Sequence, residues 1–283
     1  MKHRQRGIAL ISVLLVLSLA LLIVGGLLRS HHLSLQSSGQ VLQQLGLHQL
    51  AAGGERWAVL LLQDALRDPE QPVERMPDWK ALTPEFDAED AQILVDIEDL
   101  AGRFNVNSLL RKGQIDQVTL KRWARLLLLL EVPPVSLDQV GALHELSQLR
   151  LLDGIDGALL QQLEPWVAVL PVEAALNINA ASPLLIRALG EIDGATAEAL
   201  AHQALASPWA SVQAFTQDPL ISGLGLSSHG LGITSRWYRI QVRVTQGGRS
   251  LQLATDVEHD PKALQLSVLQ RRFMPVNNQQ RSQ

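Results

Sequence analysis

From Ile8 to Leu28 the chain runs for 21 residues without a charge. In a helix rising 1.5 Å per residue this stretch reaches about 31 Å, close to the roughly 30 Å of hydrocarbon in a bilayer. A discarded secretory signal is the competing reading, with Val24-Gly25-Gly26 as its cleavage candidate. Such signals carry an apolar region of only about 7–15 residues, however, so the length favours an anchor that is kept. Lys2, Arg4 and Arg6 precede the span and Arg29 follows it. The positive-inside bias then places the N-terminus in the cytoplasm and the body of the chain on the far side.

That body must fold without covalent help. The chain has 283 residues and no cysteine, which leaves room for one large domain or two small ones and excludes disulfides, thiolate metal sites and thiol nucleophiles. Beyond the span, Leu42, Leu50, Trp57 and Leu61 fall on one helical face, so the helix is expected to continue to about Ala65, roughly 87 Å from Ile8. Gly39, Gly46, Gly53 and Gly54 mark points of kinking or close packing along it. Pro69, Pro72 and Pro77 then end the helical region. Ile93, Val95 and Ile97 alternate as a half-buried strand does, and Tyr238, Ile240, Val242 and Val244 repeat the pattern. Gln246-Gly247-Gly248 offers a hairpin turn toward a return strand through Leu251 and Leu253, and Leu264, Leu266 and Val268 supply a third strand.

Between the strands the periodicity is helical, from about Gln114 to Phe215. Ile-Asp-Gly-Ala occurs at Ile155 and again at Ile192, 37 residues later, each time before an apolar helix, which suggests a duplicated helical hairpin. The glycine-rich Ser222–Gly232 stretch lacks the strand and helix context of a phosphate loop and reads as a linker. Strand, helices and strands in that order describe an antiparallel sheet with a helical block inserted into it.

Three motifs turn this architecture into a resemblance. The basic leader, then Gly7, then Ile8-Ala9-Leu10-Ile11 resembles the class III leader of type IV pilins and type II secretion pseudopilins. Glu98-Asp99-Leu100-Ala101-Gly102-Arg103-Phe104-Asn105-Val106-Asn107 resembles a stretch of the K-subunit pseudopilins. Leu176-Asn177-Ile178-Asn179-Ala180-Ala181-Ser182 resembles an element found both in K subunits and in helix-hairpin-helix DNA-binding modules. The chain is thus identified as similar to the K-subunit minor pseudopilins of type II secretion systems, a resemblance that covers nearly its whole length.

The resemblance implies cleavage by prepilin peptidase after Gly7 and methylation of Ile8. It also implies a glutamate at the fifth mature position, where this chain has Ser12; the K subunit is the member that usually lacks it and sits at the filament tip. The implied fold is α+β and pilin-like, a long N-terminal helix on an antiparallel sheet, with an inserted all-α domain. The expected bounds are a leader over 1–7, a span over 8–28 within a helix over 8–66, a pilin-like domain over 67–110 and 233–273, an insert over 111–221 and a tail over 274–283. The implied partners are the I and J minor pseudopilins, other pseudopilins, the inner-membrane assembly platform and prepilin peptidase. The implied location is the inner membrane, with a periplasmic head that reaches the pseudopilus tip after assembly. A tip or minor pilin of a type IV system is the alternative. Of the motif residues, Gly102 permits a turn, Phe104 plugs the core, and Arg103, Asn105, Asn107, Asn177 and Asn179 are expected to serve structure rather than bind a ligand.

Charge argues against DNA as the partner. Between Asp138 and Asp218 ten carboxylates stand against Arg150 and Arg187, a net charge of −8, and a polyanion is held chiefly through its phosphates. The histidines are scattered, His144-Glu145 has no second histidine at metalloprotease spacing, and Gly225–His229 fails the nucleophile-elbow pattern, so no enzyme activity or cofactor is expected. The Glu131–Asp138 segment, where many K subunits place an Asp-rich calcium site, is too poor in carboxylates for an ion wanting six to eight oxygens. No metal is expected.

Overall fold

The computed structural model describes residues 4–67, 86–88, 91–111, 113–135, 142–152 and 154–274. Pro69, Pro72, Pro77 and the tail beyond Met274 lie outside the described residues, as do the side chains of Gly7, Ile8 and Ser12. Helix α1 (Arg4–Ala65) is continuous over 62 residues, so the membrane segment and the head share one rod. The stretch Val13–His32 within it is long and apolar enough to cross a bilayer, and none of it is buried against the rest of the chain.

The far end of α1 lies on a five-stranded antiparallel sheet. Its order is β1 (Phe86–Ala88), β2 (Ala91–Asp99), β9 (Trp237–Gln246), β10 (Arg249–Asp260) and β11 (Gln265–Met274). Period-two alternation puts Ile93, Val95 and Ile97 of β2 and Tyr238, Ile240, Val242 and Val244 of β9 on the face toward α1, where all are buried. Gly247 and Gly248 join β9 to β10 with φ of +55° and +77°, the left-handed pair that a two-residue hairpin needs and other residues resist.

The helix meets this sheet through a different face from the one its leucines suggest. Leu47, Ala51, Ala58 and Leu62 are the buried residues, whereas Leu42 is 69% exposed and Leu50, Trp57 and Leu61 flank the contact. Distance decides this. A Cβ at Gly54 would lie 2.8 Å from Val242 Cγ1, so the helix axis sits too low for a large side chain at the centre of the contact. Small residues take the middle and bulky ones the edges.

The insert leaves the sheet after β2 and returns at β9. Its core is separate, built on Trp123, Leu126, Leu149, Leu163, Ile186, Leu200 and Phe215. Among the described residues five α-helices surround it: α2 (Gln117–Leu129), α3 (Gly157–Leu163), α4 (Pro183–Leu189), α5 (Gly194–Ala206) and α6 (Val212–Thr216). Asp116, Asp156, Ser182, Asp193 and Ser211 cap their N-termini, each side chain accepting a backbone N–H from the first turn. The repeated Ile-Asp-Gly-Ala is thereby explained: Asp156 and Asp193 are the caps, and Ile155 and Ile192 are buried just ahead of them.

Two details of the insert differ from expectation. Short strand pairs accompany the helices: β3 (Phe104–Asn105) runs parallel to β6 (Val167–Ala168), β7 (Leu176–Asn177) parallel to β8 (Leu231–Gly232), and β4 (Leu110–Arg111) antiparallel to β5 (Gln114–Ile115). The glycine-rich stretch is a wall rather than a linker. Arg122, itself buried, donates to the carbonyls of Ser227 at 2.7 Å and His229 at 2.6 Å, and Leu226 fills the space over Gly190. Carbonyl-rich turns without side-chain bulk suit a buried guanidinium that needs acceptors.

Candidate functional site

The residues singled out by motif converge at the joint between sheet and insert. Strand β2 ends at Asp99 and a single 3-10 turn, Leu100–Gly102, carries the chain into β3. One Asp99 oxygen accepts from the Ala101 N–H at 2.8 Å and caps the turn; the other accepts from Asn177 Nδ2 at 2.8 Å. This carboxyl is 6% exposed. Burial pushes it up from 3.8 to about 6, against the opposing hydrogen bonds from Ser235, Asn177 and Ala101. Gly102 faces the backbone of Ala180, and a Cβ there would lie 2.6 Å from the Ala180 carbonyl oxygen. The two motifs, 78 residues apart at Asp99 and Asn177, are therefore halves of one contact.

Arg103 closes its flank. The guanidinium takes both oxygens of Glu98 in a bidentate pair and donates to the Glu164 carbonyl at 2.7 Å, which ties the end of β2 to the end of α3. Phe104 enters the insert's core and packs on Trp123 with ring centroids 5.4 Å apart. Phe104 and Val106 thus belong to the insert, and residues 100–103 are the joint itself. On the sheet's outer face Arg239 pairs with both oxygens of Asp256, which Arg272 also reaches at 3.2 Å.

The asparagines form two equivalent clamps. Asn105 accepts from the N–H of Asn107 at 3.1 Å and donates to the Pro171 carbonyl at 2.7 Å; Asn107 then grips Leu143, accepting from its N–H at 2.8 Å and donating to its carbonyl at 2.9 Å. Asn177 likewise accepts from the N–H of Asn179 at 3.1 Å, and Asn179 grips Trp209, accepting from its N–H at 2.8 Å and donating to its carbonyl at 3.2 Å. Each first asparagine lies in a short strand whose parallel partner closes the unit, β6 for Asn105 and β8 for Asn177. The insert is therefore two copies of one plan, strand, clamp, helices and closing strand. The Ile-Asp-Gly-Ala echo is a capping signal inside that plan and does not set its period. A primary amide is the side chain that satisfies an N–H and a C=O of one distant residue at once, which accounts for the residue type.

Of the ten residues expected to matter, Gly102, Arg103, Phe104, Asn105, Asn107, Asn177 and Asn179 meet at this joint or its clamps. Gly7, Ile8 and Ser12 lie at the far end of α1. Sequence reading gave no role to Asp99, Ala180 or Arg122, although Asp99 heads the very motif quoted. Among the described residues no three histidines, aspartates or glutamates stand close enough to hold a metal. The joint offers positioning, with its polar groups turned inward onto backbone.

Known proteins match on the same ground. Residues 176–234, which include the second clamp, match the family model for type II secretion system protein K. The type II secretion system protein K of Pseudomonas aeruginosa is 28% identical over 91% of this chain and 90% of its own length. That of Klebsiella pneumoniae is 29% identical over 78% of this chain and 82% of its own. In fold the chain resembles a chain of the crystal structure of the GspK-GspI-GspJ complex from enterotoxigenic Escherichia coli, with a TM-score of 0.67 at 20% identity, covering 85% of this chain and 99% of that one. With a family-model match across the second clamp and relatives aligned along most of their length, the chain is similar to the type II secretion system protein K family.

Proposed function

We propose that the chain is a minor pseudopilin that initiates and caps the pseudopilus of a type II secretion system, a structural subunit and not an enzyme. The observation that carries this reading is the mismatch between the two ends of α1. The bilayer end is a bare apolar rod of the kind that stacks side by side, whereas the head carries an insert with its own core, fastened by Asp99–Asn177 and Arg103–Glu98, that widens the subunit. A rigid, broad head obstructs a further subunit above it, which suits a first position and not a repeated one.

The finer steps belong to the same reading. Prepilin peptidase cuts after Gly7 and the new N-terminus at Ile8 is methylated. Ser12 brings no carboxylate into the membrane to pair with the ammonium of a neighbour, so nothing recruits a subunit above it. The N-terminus faces the cytoplasm, the head lies in the periplasm, and the head associates with the I and J pseudopilins on the assembly platform. Support for the partners is the solved complex that the fold resembles.

Mass spectrometry of the mature chain taken from membranes tests the processing, with a methylated N-terminus at Ile8 as the expected result. Gly7→Ala is expected to leave the leader uncut and to abolish secretion. Normal secretion by the uncut chain would refute the reading, as would a mature form that starts beyond Leu28.

A further inference from the structure

The insert hangs from the sheet by two crossings. The chain leaves after β2 through the turn Leu100–Gly102 and comes back into β9 through residues 233–236, and the last rung of the β2–β9 ladder pairs Asp99 with Tyr238. Leu100, Ala101, Ala168, Leu170, Ala174 and Trp237 give this neck a small apolar cluster of its own, apart from the two larger cores. Asp99 reaches every part of it. Its carboxyl accepts from the Ala101 N–H on the outgoing crossing and from Asn177 Nδ2 on the insert, at 2.8 Å each, and shares a hydrogen bond with the Ser235 hydroxyl on the returning one. We propose that the neck is a proton-operated joint: a protonated Asp99 ties both crossings to the second clamp, and an ionised one lets the neck open while both cores stay folded.

The count of donors and acceptors calls for the proton. Ser235 Oγ donates to the Trp237 carbonyl at 3.3 Å and accepts from the Trp237 N–H at 3.2 Å. A hydroxyl has one hydrogen and two lone pairs, so what Ser235 has left for Asp99 is a lone pair. A protonated carboxyl fills it by donating, while still accepting from Ala101 and Asn177. An ionised carboxyl has no hydrogen to give. It either draws the Ser235 hydrogen away from the Trp237 carbonyl or faces the hydroxyl oxygen lone pair to lone pair.

Charge points the same way. Among the described residues the guanidiniums around the neck are already engaged: Arg103 with Glu98 and the Glu164 carbonyl, Arg236 with Glu258 and the His259 carbonyl, Arg239 with Asp256. The titratable groups that act on Asp99 itself are Glu98, its neighbour on β2, whose charge repels, and Tyr238 across the ladder, a phenol held neutral by burial and by Asp99. Strand β7 contributes only the neutral Asn177. Burial outweighs the hydrogen bonds, so the carboxyl titrates at about 6 in place of 3.8. Opening the neck returns the carboxyl to water and to its ordinary value. The closed neck is therefore fully favoured below 3.8 and loses that advantage as pH climbs through about 6. Between pH 5 and pH 7.5 the population of the open neck rises about tenfold and then levels off.

Hydrogen exchange of the full-length chain in detergent, followed residue by residue and corrected for the intrinsic rate at each pH, tests the joint. The Ala101 and Arg103 amides, bonded to Asp99 and to the Leu100 carbonyl, report the neck; Leu126 and Val242 report the two cores. Protection at the neck should fall about tenfold from pH 5 to pH 7.5, and Asp99→Asn should abolish the fall. At every pH the neck should exchange about tenfold or more faster than either core, because it opens without unfolding them. Neck protection that is constant with pH would overturn the inference, as would protection equal to that of the cores, or a fall that persists in Asp99→Asn. Should Asp99→Asn not fold, the wild-type chain labelled with carbon-13 aspartate decides. One carboxyl resonance must then titrate in step with neck protection, and aspartates that all titrate below about 5 would overturn the inference equally. Pseudopilus assembly enters none of these measurements, so the joint and the pseudopilin reading stand or fall separately.

Discussion

Replacing Gly102 with alanine puts a methyl group in place of a hydrogen at the point where the two motifs touch. The new Cβ would sit 2.6 Å from the Ala180 carbonyl oxygen, 3.0 Å from its carbon and 3.1 Å from its Cβ. All three atoms are fixed to backbone, so no rotamer change relieves the contact, and the two turns must part by roughly 0.6–0.9 Å to restore van der Waals distance. Backbone preference does not enter, because Gly102 is not among the positive-φ glycines. Alanine would by itself stabilise such a position by about 0.4–1 kcal/mol through the unfolded chain, against about 1–3 kcal/mol for overpacking and more for stretching the 2.8 Å Asp99–Asn177 bond beside it. The clash wins. Thermal unfolding of the full-length chain in detergent, followed by circular dichroism, should show the insert's transition lowered by about 3–8 °C. Gly53→Ala, in a helix with open space around it, should leave the melting temperature level or slightly raised. If Gly102→Ala melts at or above wild type, the two motifs do not form the contact described.

Three further outcomes follow from the same joint and from the leader. Asp99 titrates at about 6 when folded and at 3.8 otherwise; a raised folded value means that its contribution to stability is complete below 3.8 and is lost as pH climbs through about 6. Between pH 7.5 and pH 5 the chain should gain about 1–2 kcal/mol from this group, and Asp99→Asn should flatten that part of the melting-temperature profile; an unchanged profile would place the carboxyl in water. Asn179→Ala leaves the Trp209 N–H and the carbonyls of Trp209 and Ile233 without their partner, at about 1–3 kcal/mol for each buried group, so amide exchange around Trp209 should quicken well beyond that at Leu143; equal protection would mean that the clamp is idle. Ser12→Glu restores a carboxylate at the fifth mature position and should let the processed chain appear along the pseudopilus shaft, whereas confinement to one end would show that the missing charge is not what limits it.

The strands, the hairpin glycines and the continuous helix were legible because each is a local pattern: alternation along Tyr238–Val244, a left-handed pair at Gly247-Gly248, an uncharged run at Ile8–Leu28. The contact face of α1 was not. Leu42 and Leu50 announce amphipathicity more loudly than Ala51 and Ala58, yet the sheet selects the small residues because Gly54 lets it come close, and that distance is a tertiary quantity. The glycines of Ser222–Gly232 read as a linker for a similar reason, since the guanidinium that organises their carbonyls is about a hundred residues away at Arg122. Both asparagine motifs could be seen, but their pairing could not. Asn107 and Asn179 clamp backbone of Leu143 and Trp209, and backbone partners leave no signature in side-chain pattern.

The most direct test of the tip assignment is to see where on the fibre the chain resides. Leu128→Cys places a unique thiol on an exposed turn of α2, and maleimide-linked gold on pseudopili from cells producing this variant can be located by electron microscopy. A single particle at one end of each fibre is the predicted result. Particles spaced along the shaft would contradict it.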